Sequence, residues 1–203
     1  MKPVVVISAD KEIIELAKEF TDLDILGVLD PKLDADALGL PILGTDDDWA
    51  AVVLKYPELK VILAVDAPSK REKLVFHYGV ERLVTLISRD SYVSPSVEIG
   101  HGCLIQRGVK VMSNAKLKTA CKINVNSTIH HDAVIGDFCT LAPGSQLLGA
   151  VVVENKVFIG AGAVILPKVK IGENAIVGAG AVVVSDVAAR TTVAGVPARF
   201  IKR

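Results

Sequence analysis

The sequence predicts a small α/β domain with a Rossmann-like parallel sheet over residues 1–86, followed by an all-β left-handed parallel β-helix over residues 87–203. Three observations support this fold class. Apolar runs alternate with amphipathic segments in the first part, and one pattern recurs every six residues in the second. Aromatic residues make up only 4% of a chain that is 51% hydrophobic, as expected for a narrow interior of aliphatic side chains.

The six-residue repeat starts at Ile87 and places Ile, Leu or Val at all seventeen positions of its phase up to Val183. Chance would give such a run with a frequency on the order of one in 10⁸. Four residues after these positions stand small or β-branched residues. Each unit predicts one short strand and one turn, and three units close a triangular coil of about 18 residues, stacked about 4.8 Å from the next. Because the phase never slips, no loop is expected between coils.

The three cysteines fall into this register. Cys103, Cys121 and Cys139 are each one coil apart, which predicts a single buried column at the small inward position. A metal or redox cluster is the alternative. The odd count, without the paired spacing of a zinc site, favours unbridged thiols in a reducing compartment.

The first 86 residues predict a βαβαβ unit with a parallel sheet. The predicted strands are PVVVIS, DILGVLD, KVILAV and RLVTLI, and the predicted helices are DKEIIELAKEF, a segment near DDDWAAVVLKYP, and PSKREKLVFHYG. Sheets of this type bind ligands at the carboxyl ends of their strands. The candidates there are Ser8, Ala9, Asp10, Lys11, Asp30, Gly44 and Asp66. Asp10 is equally suited to cap the first helix.

Charge and hydropathy exclude several classes of function. The 23 basic and 23 acidic residues cancel, so no net field favours nucleic acid. The apolar run in MKPVVVISAD is too short for a signal peptide, and no stretch of about 18 apolar residues follows. We therefore expect a cytoplasmic protein without membrane insertion.

Catalytic chemistry is expected at a corner of the β-helix. The acidic neighbour Asp132 can prepare His131 as a general base. Gly149, one coil above, would leave room for a substrate beside the ring and offer a backbone N–H to an oxyanion. His101 lies five repeats before His131 and hence on a different corner, so the three converging histidines of a zinc-dependent lyase are not expected and no metal is predicted.

The stretches HDAVIGDF, LAPGSQLLG, VFIGAGAVILPKVKIGENAIVGAGAVV and AGVPAR resemble the sialic acid O-acetyltransferase and bacillosamine N-acetyltransferase group of hexapeptide-repeat acyltransferases. The resemblance covers essentially the whole chain. It implies a homotrimer with active sites between neighbouring β-helices and acetyl-CoA in the groove between subunits. It assigns the catalytic base to His131, its supporting carboxylate to Asp132 and an acceptor contact to Asn124. The acetyl-CoA contacts that it implies are Thr140, Gly149, Ala161 and Ala179.

The resemblance predicts an acetyl-CoA-dependent acetyltransferase, of EC 2.3.1 type, that modifies an amino or hydroxyl group of a nucleotide-linked sugar in surface glycan biosynthesis. Three places depart from the family pattern. The segment Ala64–Ala67 after the third strand stands where the family tends to have a Gly and an Asn. The loop Ser8–Lys11 stands where the family has a Gly-Gly-His-Gly type sequence, and Thr140 stands where the bacillosamine enzyme has a histidine. The alternative is a non-catalytic trimeric scaffold or ligand sensor.

Overall fold

A computed structural model describes residues 1–202 and has the predicted architecture. The amino-terminal sheet is parallel, with strand order β3-β2-β1-β4. Its strands are Lys2–Ile7 (β1), Leu23–Leu29 (β2), Ile42–Gly44 (β3) and Lys60–Leu63 (β4). The helices are Lys11–Lys18 (α1), Trp49–Lys55 (α2) and Pro68–Tyr78 (α3), and short 3-10 turns cover Asp46–Asp48 and Val80–Arg82. Among residues 1–202, no helix is long and apolar enough to cross a bilayer.

One predicted strand of this sheet is wrong. In RLVTLI, Leu83 makes a single bridge to Val61, and Leu86–Ile87 (β5) joins the β-helix instead. The outward side chain of Leu86 is buried among the apolar residues beneath α1, so its hydrophobicity reflects the contact between domains. The fourth strand of the sheet is β3, which is too short to give a pattern in the sequence.

The β-helix is a triangular prism with one parallel sheet on each face. The first face contains β5, Leu104–Ile105 (β8), Lys122–Ile123 (β11), Thr140–Leu141 (β14), Phe158–Ile159 (β17), Ile176–Val177 (β20), Thr192–Ala194 (β22) and the antiparallel Arg199–Phe200 (β23). The second contains Tyr92–Val93 (β6), Lys110–Val111 (β9), Thr128–Ile129 (β12), Gln146–Leu147 (β15), Val164–Ile165 (β18) and Val182–Val183 (β21). The third contains Glu98–Ile99 (β7), Lys116–Leu117 (β10), Val134–Ile135 (β13), Val152–Val153 (β16) and Lys170–Ile171 (β19).

The register confirms the predicted period. Residues 18 apart pair directly, as Ile123 does with Leu141. The three cysteines are fully buried free thiols in one column, as the packing interpretation predicts. Burial raises the pKa of Cys139 to about 12, which keeps its thiol protonated at neutral pH. No group of three metal-ligating side chains occurs within residues 1–202.

Arg71 on α3 joins the two domains, and its side chain is almost entirely buried. It donates to the carbonyl oxygens of Val65, Asp66, Ala120, Phe138 and Cys139 and to the Thr140 hydroxyl. Burial lowers the pKa of the Arg71 guanidinium from its usual value, but an arginine stays protonated in a protein. The cation is therefore held by backbone oxygens from both domains, which fixes the sheet against the first face.

Candidate active site

We name the corners of the prism by the faces that they join: the first corner follows the first face, and the second corner follows the second face. His131 lies at the second corner, two residues after the end of β12. Its Nδ1 is 2.8 Å from Oδ2 of Asp132. Asp132 adopts φ +61°, a left-handed conformation that Asp tolerates better than most residues. The two adjacent side chains therefore do meet, which the sequence alone left open.

Two hydrogen bonds lower the pKa of the Asp132 carboxyl. The first involves His131, and the second comes from the side-chain amide of Asn114, whose Nδ2 is 3.3 Å from Oδ1. The carboxylate is thus ionised at neutral pH and accepts the proton on Nδ1 of His131. This arrangement leaves Nε2 as the ring nitrogen that can receive a proton from a substrate.

Gly149 lies one coil above and makes space for the imidazole itself. A Cβ at this position would stand 2.7 Å from both Cε1 and Nε2 of His131. The expected space beside the ring is therefore occupied by the ring, which lies against the glycine. Within residues 1–202 the Gly149 N–H donates to no acceptor, so it is free to stabilise an oxyanion near Nε2.

We expect Gly149→Ala to lower kcat by about 10- to 100-fold, because the added methyl group displaces the imidazole and misplacement by about 1 Å can cost this much. The backbone of Gly149 does not need a positive φ, so the thermal midpoint should change little. Steady-state kinetics of acyl transfer measure the effect. If the methyl group acts through the imidazole, it should cause no further loss in a His131→Ala background. A wild-type rate in the single variant would contradict this interpretation.

A cleft of about 440 Å³ lies between the domains, where the carboxyl ends of β1 and β4 face the first face and first corner of the β-helix. Its lining residues are Asp10, Lys11, Glu12, Asp66, Lys122, Asn124, Thr140, Ala142, Pro143 and Phe158. Among the predicted acceptor contacts, Asp10 and Asn124 line this cleft. Nδ2 of Asn124 is held by the carbonyl oxygen of Leu141 at 2.8 Å.

Lys122 is a charged residue of the cleft that sequence reasoning missed. Its side chain is 2% exposed, and its Nζ lies 2.7 Å from Oδ2 of Asp10 and 2.9 Å from Oδ1 of Asp66. Asp10 also caps α1, since its Oδ1 accepts from the N–H of Ile13 at 3.2 Å. The carboxylate thus serves as the predicted cap and as a wall of the cleft. A lysine that points outward from a β-helix strand looks like a surface residue in the sequence. No sequence pattern indicates that the amino-terminal sheet covers it.

The other acceptor candidates are not among the residues that line the cleft. Oδ2 of the buried Asp30 accepts from the N–H of Ala9, which follows Ser8, at 2.8 Å. The carbonyl oxygen of Gly44 accepts from the N–H of Asp30, and a Cβ on Gly44 would collide with Asp48. Ser8, Ala9, Asp30 and Gly44 therefore support the loops around the cleft, and direct contact with an acceptor stays a prediction for them.

Thr140 has a structural task. Its fully buried hydroxyl donates to the carbonyl oxygen of Asp66 at 2.6 Å and accepts from Arg71. The hydroxyl therefore uses its one donor within the interface between the domains. The contact to acetyl-CoA that the resemblance implies stays a prediction for Thr140.

The remaining predicted site residues divide between two corners. His131, Asp132 and Gly149 lie at the second corner, whereas Ala161 and Ala179 lie at the first corner, on the same side as Asn124 and the cleft. The two groups stand at opposite ends of the second face. One chain therefore does not bring its histidine to its own cleft.

Comparison with known proteins supports this interpretation of the repeat. The model of the family described as bacterial transferase hexapeptide (six repeats) matches residues 150–185. A search of curated proteins finds no match.

Several solved structures resemble the whole chain. A histidine-to-alanine mutant of GDP-perosamine N-acetyl transferase from Caulobacter crescentus, in complex with CoA and GDP-perosamine, is 31% identical over 99% of this chain and 97% of that chain, with a TM-score of 0.92. WeeI from Acinetobacter baumannii is 32% identical over 98% and 99%, with a TM-score of 0.89. The acetyltransferase domain of PglB from Neisseria gonorrhoeae, in complex with acetyl coenzyme A, is 27% identical over 98% and 99%, with a TM-score of 0.88. With such identity over nearly its full length, the chain belongs to the sugar N-acyltransferases of the hexapeptide-repeat group.

Proposed function

We propose that this acyltransferase moves the acetyl group of acetyl-CoA to the amino group of a nucleotide-linked sugar, with His131 as general base. The observation that carries the proposal is the His131–Asp132 pair seated against Gly149. The similarity to enzymes solved with CoA, acetyl-CoA and GDP-perosamine supports the choice of donor and acceptor. We assign the reaction to surface glycan biosynthesis in the cytoplasm, where acetyl-CoA is available and thiols such as Cys121 stay unbridged.

The reaction proceeds by direct attack of the acceptor nitrogen on the thioester carbon. Nε2 of His131 takes the proton that the nitrogen loses, while Asp132 holds the proton on Nδ1. The Gly149 N–H donates to the oxyanion of the tetrahedral intermediate. When the carbon–sulfur bond breaks, the imidazolium returns the proton to the departing CoA thiolate, so the base is regenerated.

We further propose a homotrimer in which the second corner of one chain meets the first corner and cleft of its neighbour. The separation of the histidine from the cleft within one chain supports this assembly. Small residues line the first corner in its later coils. An added Cβ at Gly162 or Gly180 in these coils would meet nothing within 4 Å. This open backbone around Ala161 and Ala179 suits the close approach of a CoA pantetheine arm. Closed rings of identical subunits are built from such head-to-tail contacts.

Release of free CoA thiol from acetyl-CoA, measured with a panel of nucleotide-linked amino sugars, tests the proposed activity. Calorimetry with acetyl-CoA separates the enzyme from the scaffold alternative. We expect acetyl-CoA to bind and at least one amino sugar nucleotide to accelerate thiol release. Binding without acceleration by any such acceptor would reject the proposed acceptor class, and no binding would favour the scaffold.

Subunit mixing tests the shared site. His131→Ala removes the base, and Ala142→Trp fills the cleft, so each variant alone should be inactive. In trimers assembled at random from equal amounts of both chains, about one quarter of the sites combine an intact cleft with an intact base. Co-expression should therefore restore about a quarter of wild-type activity. Absence of any recovery in verified mixed trimers would show that base and cleft come from the same chain.

A further inference from the structure

We propose that Asn114 is a positioning residue that orients Asp132 toward the catalytic imidazole, an inference that rests on the proposed function. Asn114 lies at the second corner, one coil below Asp132. Its Nδ2 donates to Oδ1 of Asp132 at 3.3 Å, while Oδ2 of the same carboxylate lies 2.8 Å from Nδ1 of His131. The three side chains form one line of hydrogen bonds from one coil to the next.

Asn114 is itself held in place from below. Its backbone N–H donates to Oγ of Ser96 at 3.0 Å, and Ser96 lies one further coil down the same column. The Oγ atoms of Ser94 and Ser96 are 3.2 Å apart. The backbone of Asn114 is therefore anchored to the coil beneath it, which fixes the position from which its side chain reaches the carboxylate.

The left-handed corner conformation is not a sufficient explanation for asparagine at this position. Asn114, Asn126 and Asn174 have φ values of +58°, +59° and +57° at equivalent turns of three different corners. Asparagine tolerates this conformation well. Of these three asparagines, however, only Asn114 has a side chain that donates to a carboxylate within residues 1–202, and that carboxylate is the partner of His131. Asn114 thus makes a contact that the backbone conformation does not require.

This contact controls which nitrogen of the imidazole carries the proton. The side chain of Asp132 is 53% exposed and is free to rotate unless one oxygen is held. With Oδ1 bound by Asn114, Oδ2 accepts from Nδ1–H of His131, and Nε2 is left unprotonated beside Gly149. Without the amide, Asp132 can turn toward solvent, and the imidazole then populates the other tautomer, which cannot act as the base.

Asn114→Ala tests the inference, with Asn174→Ala as its matched control. Both changes remove an asparagine from a left-handed corner, but only the first touches the pair. We expect Asn114→Ala to lower kcat by about 10- to 100-fold with the KM for acetyl-CoA unchanged, the effect of losing one hydrogen bond to a charged group. Asn174→Ala should keep kcat. In an Asp132→Ala background the Asn114 change should cause no further loss, because its effect passes through the carboxylate.

Nitrogen-15 NMR of the His131 ring supplies a readout that does not depend on turnover. The resonances are assigned by their absence in His131→Ala. A shift of the tautomer ratio in Asn114→Ala that is absent in Asn174→Ala supports the inference. This result would support it even if no acceptor were acetylated, and in that case only the proposed function would fail. An unchanged tautomer ratio overturns the inference even in an active enzyme, as does an equal loss of thermal stability and rate in both variants.

Discussion

Replacing His131 with alanine is expected to lower kcat for acetyl transfer by about 10²- to 10⁴-fold, the usual contribution of a positioned general base. The imidazole is placed for this role by Asp132 on one side and the bare backbone of Gly149 on the other. Alanine leaves both neighbours in place but removes the proton acceptor. Since the side chain is 60% exposed, its loss should leave the free energy of unfolding nearly unchanged.

His101→Ala is the matched control, because His101 is an exposed corner histidine on another corner of the same prism. Thiol release at saturating acetyl-CoA should be within about twofold of wild type for this control, as expected for a surface change away from the site. The KM for acetyl-CoA should be similar in both variants, since the predicted CoA contacts Ala161 and Ala179 lie on the first corner and neither change alters Gly149. Equal rates for His131→Ala and wild type would remove His131 from the mechanism.

The unbroken repeat explains why the β-helix and the catalytic corner could be predicted. A step of 18 residues is one coil, so sequence numbers translate directly into neighbours, as for the column of Cys103, Cys121 and Cys139. The same step places Gly149 above His131. Asn114 precedes Asp132 by the same 18 residues, so a step of one coil back from Asp132 would have identified it.

Contacts between the two domains could not be predicted in this way, because no period relates the sheet to the β-helix. In the sequence, Lys122 on a β-helix strand and Arg71 on a helix look like ordinary charged surface residues. The structure buries both, and Arg71 reaches acceptors up to 69 residues away. The hydroxyl of Thr140 likewise donates across this interface, to the carbonyl oxygen of Asp66, which no sequence pattern indicates.

Replacing Arg71 with methionine is expected to lower the free energy of unfolding by about 3 to 5 kcal/mol, because several buried acceptors lose their donor at once. Methionine fills much of the same volume but donates no hydrogen bond. Carbonyl oxygens at Ala120 and Phe138 would then be left in a buried interface without a donor, whereas that of Cys139 keeps the N–H of Lys122. Each such group costs about 1 to 3 kcal/mol unless water reaches it. Urea unfolding at one fixed protein concentration measures the loss.

Lys73→Met is the matched control, since Lys73 is an exposed cation on the same helix. It should change the free energy of unfolding by less than about 0.5 kcal/mol. Arg71→Met should also loosen the cleft, because Arg71 binds the carbonyl oxygen of Asp66 and the hydroxyl of Thr140. We therefore expect a higher KM for the acceptor alongside the lost stability. If Arg71→Met were as stable as Lys73→Met, the carbonyl oxygens would have to be satisfied without the guanidinium, and Arg71 would not be the residue that fixes the sheet on the β-helix.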